Sequence, residues 1–144
     1  MRYKYLIIPL FASFIVISSA QSRYHPVKYV YDGDTILING GEKVRYLGID
    51  APELEHSGGD SEFMALTSRD FNHRLVGGKR VRLEFDCEKR DRHGRLLAYV
   101  FLENDEMVNE LLIKSGLARI MIKPPNLKYL NLLLGYQRRA MSKK

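Results

Sequence analysis

Two short acidic motifs, Asp32-Gly33-Asp34-Thr35 and Asp50-Ala51-Pro52-Glu53, flank Arg45 in this chain. Carboxylates crowded into a small volume repel one another unless a hard cation or a proton intervenes, and oxygen-only ligation suits Ca²⁺ or Mg²⁺. Arg45 is the cation that stands beside them. Arg95, at the end of the polar run Glu88 to Arg95, is a second such group. Each piece also has a plain reading. An isolated Asp-Gly-Asp is commonly a solvated turn, Asp-Ala-Pro-Glu can simply end a strand, and either arginine can be an exposed strand residue. Their weight as a site depends on what brings them together.

A hairpin does so. Asp34 to Ile38 and Lys43 to Ile49 are strand-like runs around Asn39-Gly40-Gly41, a strong turn signal. With the turn near Gly40, residue 34 faces the stretch Arg45 to Leu47, and Asp50 lies just beyond. Asp34, Asp50, Glu53 and Arg45 then gather at one end of one sheet. Val27 to Tyr31, Arg80 to Cys87 and Leu96 to Leu102 read as three further strands. Helices are expected over Ser61 to Val76, with Ser61 as N-cap and Phe63, Leu66, Phe71 and Leu75 as the apolar face, and over Asp105 to Ser115. A third follows Pro124-Pro125, with Asn126 able to cap and Leu127, Leu130, Leu133 and Leu134 as its stripe. That order of elements predicts an α+β, mainly β fold: a five-stranded Greek-key barrel of the oligonucleotide/oligosaccharide-binding (OB) type, decorated by three helices.

Composition sets the bounds. The 144 residues hold 23 Lys+Arg against 17 Asp+Glu, a net charge of +6, with 45% apolar residues, one cysteine and no tryptophan. These counts describe one globular domain and exclude disordered, collagen-like and disulfide-stapled chains. The first twenty residues bias the charge. Arg2 and Lys4 precede an uncharged, mostly apolar run from Tyr5 to Ile17, and Ser18-Ser19-Ala20 offers small residues for a peptidase. Residues 1–20 therefore read as a signal peptide cleaved after Ala20, which places the protein outside the cell or in the periplasm. The alternative is an uncleaved membrane anchor, although the run falls short of the roughly 20 residues a spanning helix needs. Cleavage leaves residues 21–144 as a single domain with 21 Lys+Arg against 17 Asp+Glu, a surplus of +4. Cys87 falls on the alternation of Val81, Leu83 and Phe85, so a buried thiol is expected. The four histidines show no zinc-like spacing.

Four motifs in order carry a family resemblance: Val30-Tyr31-Asp32-Gly33-Asp34-Thr35; Val44-Arg45-Tyr46-Leu47-Gly48-Ile49-Asp50-Ala51-Pro52-Glu53; Asp91-Arg92-His93-Gly94-Arg95-Leu96-Leu97-Ala98-Tyr99-Val100; and Met107-Val108-Asn109-Glu110. From Val27 to Lys123 the chain resembles the staphylococcal nuclease (thermonuclease) family. The resemblance implies Ca²⁺-dependent cleavage of DNA and RNA to products ending in 3′-phosphate, by a monomer with no stable protein partner. It implies Asp34 and Asp50 as side-chain ligands of one Ca²⁺, Mg²⁺ sharing the same ligand types, and Ala51 as a backbone-carbonyl ligand. Glu53 takes the position of the carboxylate assigned as general base, and Arg45 and Arg95 those of the guanidinium groups that hold the scissile phosphate. The segment Ala118-Arg119-Ile120-Met121-Ile122-Lys123-Pro124 lacks the tyrosines with which the family contacts the nucleotide, and His93 replaces a frequent tyrosine. Two function classes follow: a metal-dependent nuclease, or a module that binds nucleic acid on the barrel without cutting it.

Overall fold

The β-branched and aromatic run at the start of the domain forms strand β1 (Tyr24–Asp32) in the computed structural model, which describes residues 24–55 and 58–142. The expected signal segment, and His56, lie outside the described residues. Strand β1 changes partner along its length. Tyr24, His25 and Pro26 pair with β5 (Arg80–Glu84), and Val27 onward pairs with β2 (Thr35–Ile38). Register shifts at Val27/Tyr29 and Val30/Asp32 mark two irregularities that bend the strand enough to serve both neighbours.

The hairpin forms as expected. Strand β2 pairs with β3 (Lys43–Tyr46) in the register Thr35↔Arg45, Ile36↔Val44 and Leu37↔Lys43, and the turn holds Gly40 and Gly41 at φ 92° and 80°. Strand β3 then pairs in parallel with β6 (Leu96–Phe101), which pairs antiparallel with β5. The closed barrel runs β1-β2-β3-β6-β5, and Val30, Ile36, Val44, Val81 and Val100 fill it. The run expected to continue to Ile49 breaks after Tyr46. Ile49–Asp50 is a separate short strand, β4, that pairs with β7 (Arg119–Ile120), an element with no sequence signal of its own.

Three helices complete the fold: α1 (Ala65–Val76), α2 (Val108–Lys114) and α3 (Leu130–Met141). Helix α1 starts four residues later than expected. Ser61 does not cap it, because the Ser61 hydroxyl accepts the Glu55 amide at 3.2 Å, while the Glu62 amide donates to the Glu53 carbonyl at 3.1 Å. Its buried face is Ala65, Ser68, Asn72 and Val76, with Phe71 and Leu75 partly buried; Phe63 and Leu66 are exposed. Small and polar residues are required there because the helix meets the Asp32–Asp34 turn closely. A Cβ on Gly33 would lie 1.9 Å from the Ser68 hydroxyl oxygen.

Asn126 caps no helix; it brackets Glu88, accepting its amide at 2.8 Å and donating to its carbonyl at 3.1 Å. Leu133 is the fully buried residue of α3, whereas Leu127 is exposed. Cys87 is exposed, contrary to the alternation. Strand β5 ends at Glu84, and the Asp86 carboxylate accepts the amides of Cys87 and Lys128, which turns the chain out of the strand. No described helix is long and apolar enough to cross a membrane.

Candidate active site

Asp34 leads into β2 with its carboxylate buried at 3% residue exposure. Thr35 donates its hydroxyl to Oδ1 at 3.0 Å, the Ala51 amide donates to Oδ2 at 2.7 Å, and Arg45 Nη1 stands 3.0 Å from Oδ2. The bond from Ala51 ties the chain after β4 back onto the turn before β2. Burial pushes the Asp34 carboxyl up to about 6, against the pull of Arg45, the Ala51 amide and the Thr35 hydroxyl, with the Asp50 charge adding to the rise.

Arg45 is the hub. It lies opposite Thr35 on β3 and is itself buried. Its Nη1 donates to the carbonyls of Tyr46 at 3.0 Å and Ile49 at 2.9 Å, and its Nη2 donates to Asp50 Oδ1 at 3.0 Å. One planar fork thus spans both carboxylates and fixes the chain reversal between β3 and β4. The second Asp50 oxygen is taken by Arg119 on β7, through Nε at 3.1 Å and Nη2 at 2.8 Å. That contact bridges 69 positions, and no pattern around Arg119 announces it.

Arg95 is held differently. Asp91 accepts the backbone amides of His93 and Arg95 on Oδ1 and Arg95 Nε on Oδ2 at 2.8 Å. Among the described residues no bond occupies its terminal nitrogens. Burial works against charge on Asp91, but the bonds from the Arg95 guanidinium, the Arg95 amide and the His93 amide outweigh it and hold the carboxyl below its usual range. A sequence signal for this was present: an aspartate four residues before an arginine across a glycine turn.

Arg45, Asp50, Glu53, Asp91, Arg95 and Lys123 line one groove of about 180 Å³. Glu53 is exposed, and its carboxylate has no bonded partner among the described residues. Asp34 lies beneath, reached through Arg45, and Ala51 lines an adjoining cleft with Glu62 and Arg119. The hairpin and the turn before β6 therefore meet at one groove, which Asp91 also lines, and Arg119 reaches Asp50 from the adjoining cleft. Ile122 and Met121, the latter at the groove, offer exposed aliphatic surface and no ring. His93 sits on the surface, accepting a bond from Arg92 Nε at 3.1 Å.

Asp34 and Asp50 are oxygen donors of the type a hard divalent cation takes, with their oxygens engaged here by Thr35, Ala51, Arg45 and Arg119. Asp34 and Asp50 both face the positive charge of Arg45 at 3.0 Å, and burial leaves Asp34 short of positive charge even so. No three His, Cys, Asp or Glu side chains among the described residues form a cage, so further ligands have to be backbone carbonyls or water. The Asp50 and Glu53 carboxylates and the guanidinium groups of Arg45 and Arg95 share one groove above the buried Asp34, an arrangement that can bind an anionic ester.

Comparison with known proteins agrees. Residues 43–144 match the family described as Staphylococcal nuclease homologue. The chain is 42% identical over 120 residues to a thermonuclease of Staphylococcus intermedius, covering 81% of this chain and 71% of that protein. It is 37% identical over 131 residues to a thermonuclease of Staphylococcus hyicus, covering 89% and 77%. Endonuclease YncB of Bacillus subtilis (strain 168) is 41% identical over 105 residues, covering 69% of this chain and 49% of that protein.

Proposed function

Because this chain belongs to the staphylococcal nuclease homologue family, we propose that its groove hydrolyses phosphodiester bonds of DNA and RNA with Ca²⁺ as cofactor, leaving 3′-phosphate ends. The observation that carries the proposal is the convergence of Arg45, Asp50, Glu53 and Arg95 on one groove above the buried Asp34. Asp34, Asp50 and the Ala51 carbonyl would hold the cation, which would supply positive charge to offset the charge developing on the phosphoryl oxygens.

The chain's own groups account for the other parts of the reaction. Attack on a phosphodiester concentrates negative charge on the phosphoryl oxygens, and prearranged donors stabilise it most. Arg95, anchored through Nε, has its terminal nitrogens for that purpose. Arg45 keeps Nε and one Nη2 proton beyond its bonds to Tyr46, Ile49, Asp34 and Asp50. Glu53, exposed at the groove, accepts the proton of the attacking water. Oxygen from water bonds to phosphorus, the bond from phosphorus to the 5′-oxygen breaks, and that oxygen leaves as a hydroxyl with a proton from solvent, to which Glu53 returns the proton it accepted.

Incubating the purified protein with end-labelled single-stranded DNA and RNA, first with Ca²⁺ and then with chelator, tests the proposal. Cleavage that chelator abolishes and that leaves 3′-phosphate ends is the expected result. A mobility shift without cleavage in Ca²⁺ would mean a nucleic-acid-binding module instead. Export and removal of residues 1–20 form part of the same proposal, and intact mass of the exported protein tests them.

A further inference from the structure

Helix α1 leaves a cleft of about 310 Å³ against β1, lined by Lys28, Arg69, Asp70, His73 and the Gly77-Gly78 turn. It shares no residue with the groove or with the adjoining cleft at Ala51. The cleft opens where β1 loses its neighbour on that side. Pairing with β5 ends at Pro26, and the Val27 amide still reaches the Lys79 carbonyl at 2.8 Å. From Lys28 onward α1 lies along the edge instead, with Asn72 donating to the Asp32 carbonyl at 3.1 Å. The first register shift of β1 makes Lys28 the extra residue of a bulge, and it stands exposed on this edge.

The turn at the end of the cleft is shaped around His73. Gly77 has φ −60° and ψ 124°, a conformation open to any residue, yet a Cβ there would lie 2.9 Å from two atoms of the His73 ring and 2.5 Å from its carbonyl oxygen. Glycine is needed for space, and it lets the imidazole fold back against the turn. Gly78 follows at φ 67°. The Lys79 amide closes the turn on the Val76 carbonyl at 3.1 Å, which leaves the Gly78 amide outside that bond.

Many cations of this surface are matched to carboxylates, as Arg80 is to Glu103, Arg82 to Asp105 and Arg90 to Glu42. Among the described residues Lys28 has no such partner, and neither has the His73 ring. Asp70 accepts both Arg69 Nε, at 3.1 Å, and Arg69 Nη2, at 2.7 Å, on the single oxygen Oδ1. Arg69 Nη1 and Asp70 Oδ2 therefore stay open, and the pair, 36% and 52% exposed, is held weakly. Donors from a strand, a helix and a turn thus converge on one cleft with surplus positive charge. A phosphate monoester offers them three unesterified oxygens and nearly two charges, whereas a diester within a strand offers two oxygens and one charge.

We propose that the cleft between β1 and α1 binds a small phosphate monoester of the nucleotide class, with Lys28, Arg69, His73 and the Gly78 amide on the phosphate and Asp70 Oδ2 accepting a sugar hydroxyl. The site is separate from the groove: Lys28 stands four residues before Asp32, about 13 Å along the strand. The 3′-phosphate ends expected of the groove belong to the same chemical class, and that link alone rests on the nuclease reading.

Calorimetric titration of the purified protein in chelator and low salt, with uridine 3′-phosphate, its methyl diester and inorganic phosphate, reads the site without cleavage. Uridine 3′-phosphate is expected to bind once per chain and more tightly than either of the others. Lys28→Gln and Arg69→Gln should each weaken it about tenfold, the scale of one charge-assisted hydrogen bond. Asp70→Asn should narrow the gap between nucleotide and inorganic phosphate, and Arg95→Gln should change nothing. Loss in Arg95→Gln with wild-type affinity in Lys28→Gln and Arg69→Gln assigns the binding to the groove and overturns the proposal. Equal affinity for the diester or for inorganic phosphate overturns it too, as does failure of the wild type to bind. The two readings fail separately. Binding as expected by a protein that never cleaves with Ca²⁺ keeps the cleft and removes the nuclease, whereas cleavage by Lys28→Gln and Arg69→Gln variants that bind nucleotide like the wild type does the reverse.

Discussion

Arg45 Nη1 and Asp34 Oδ2 form a buried ion pair at 3.0 Å, and the same guanidinium reaches Asp50 Oδ1 at 3.0 Å with its other terminal nitrogen. The residue assigned to phosphate is therefore also a structural cross-link between the two residues assigned to the metal. Lysine has one point charge where this fork has two arms and cannot serve Asp34, Asp50, Tyr46 and Ile49 together.

Arg45→Lys should lower hydrolysis at least about 100-fold, the scale of losing one oriented donor. It should also destabilise the fold by about 3 kcal/mol, because a buried partner loses its geometry. Steady-state kinetics and a urea melt check both effects. Glu53→Gln, changing an exposed side chain, should lose activity with an unshifted melt.

Asp91→Asn should act on turnover through Arg95, whose Nε it accepts at 2.8 Å. We expect kcat to fall about tenfold or more, the cost of a misplaced donor, while the Ca²⁺ affinity is unchanged. The pair also predicts a pH dependence. The folded pKa of Asp91 is depressed, so its contribution to stability is present above the ordinary aspartate range and lost as pH falls through the lower folded value. Melts of wild type and Asp91→Asn should converge only in that acid range.

Asp34 works with the opposite sign. Its folded pKa is raised to about 6, so the folded state without cation binds the proton more tightly than the unfolded chain. Stability in chelator should be highest, for this group, below the ordinary aspartate value near 4 and decline as pH rises through about 6. Ca²⁺ competes with that proton, so its affinity should drop as pH falls below about 6. Calorimetric titrations with Ca²⁺ at two pH values on either side of that point provide the check.

Arg119→Gln should free Asp50 Oδ2 and remove a nearby positive charge, raising Ca²⁺ affinity a few-fold. Because Arg119 is 82% exposed at its side chain, stability should move by less than about 1 kcal/mol. A calorimetric titration beside a melt separates the two.

The exposed Cys87 should label with a thiol reagent in the native protein, without denaturant. Its hydrogen bond to Asp86 pushes the thiol up, so labelling should be slow at neutral pH and quicken in alkali.

The parts of this fold written locally were the legible ones. The hairpin register follows from period-two alternation around Gly40-Gly41 and sets Asp34 beside Arg45, whereas Asp50 is fixed there by the Arg45 bond to the Ile49 carbonyl and by the β4–β7 pair. The β4–β7 pair was not legible, because two strands of two residues each carry no period. For the same reason nothing tied Arg119 to Asp50. The helix face with Ser68 and Asn72 was missed because hydrophobic spacing cannot anticipate a helix packed against a polar turn, where Ser68 donates to the Leu117 carbonyl and Asn72 to the Asp32 carbonyl. Cys87 was misplaced because alternation predicts which side a residue takes only while the strand lasts, and β5 stops at Glu84.

The parallel pairing of β3 with β6 places Arg45 opposite Leu97, two residues after Arg95. The two guanidinium groups come from chain segments 50 positions apart in a chain of 144, and only closure of the barrel between those strands brings them alongside. A partly folded chain can hold the hairpin and its carboxylates, yet it has no second arginine at the groove. Recovery of hydrolysis on refolding should therefore time the long-range pairing of β3 with β6, which local probes of the hairpin would register too early.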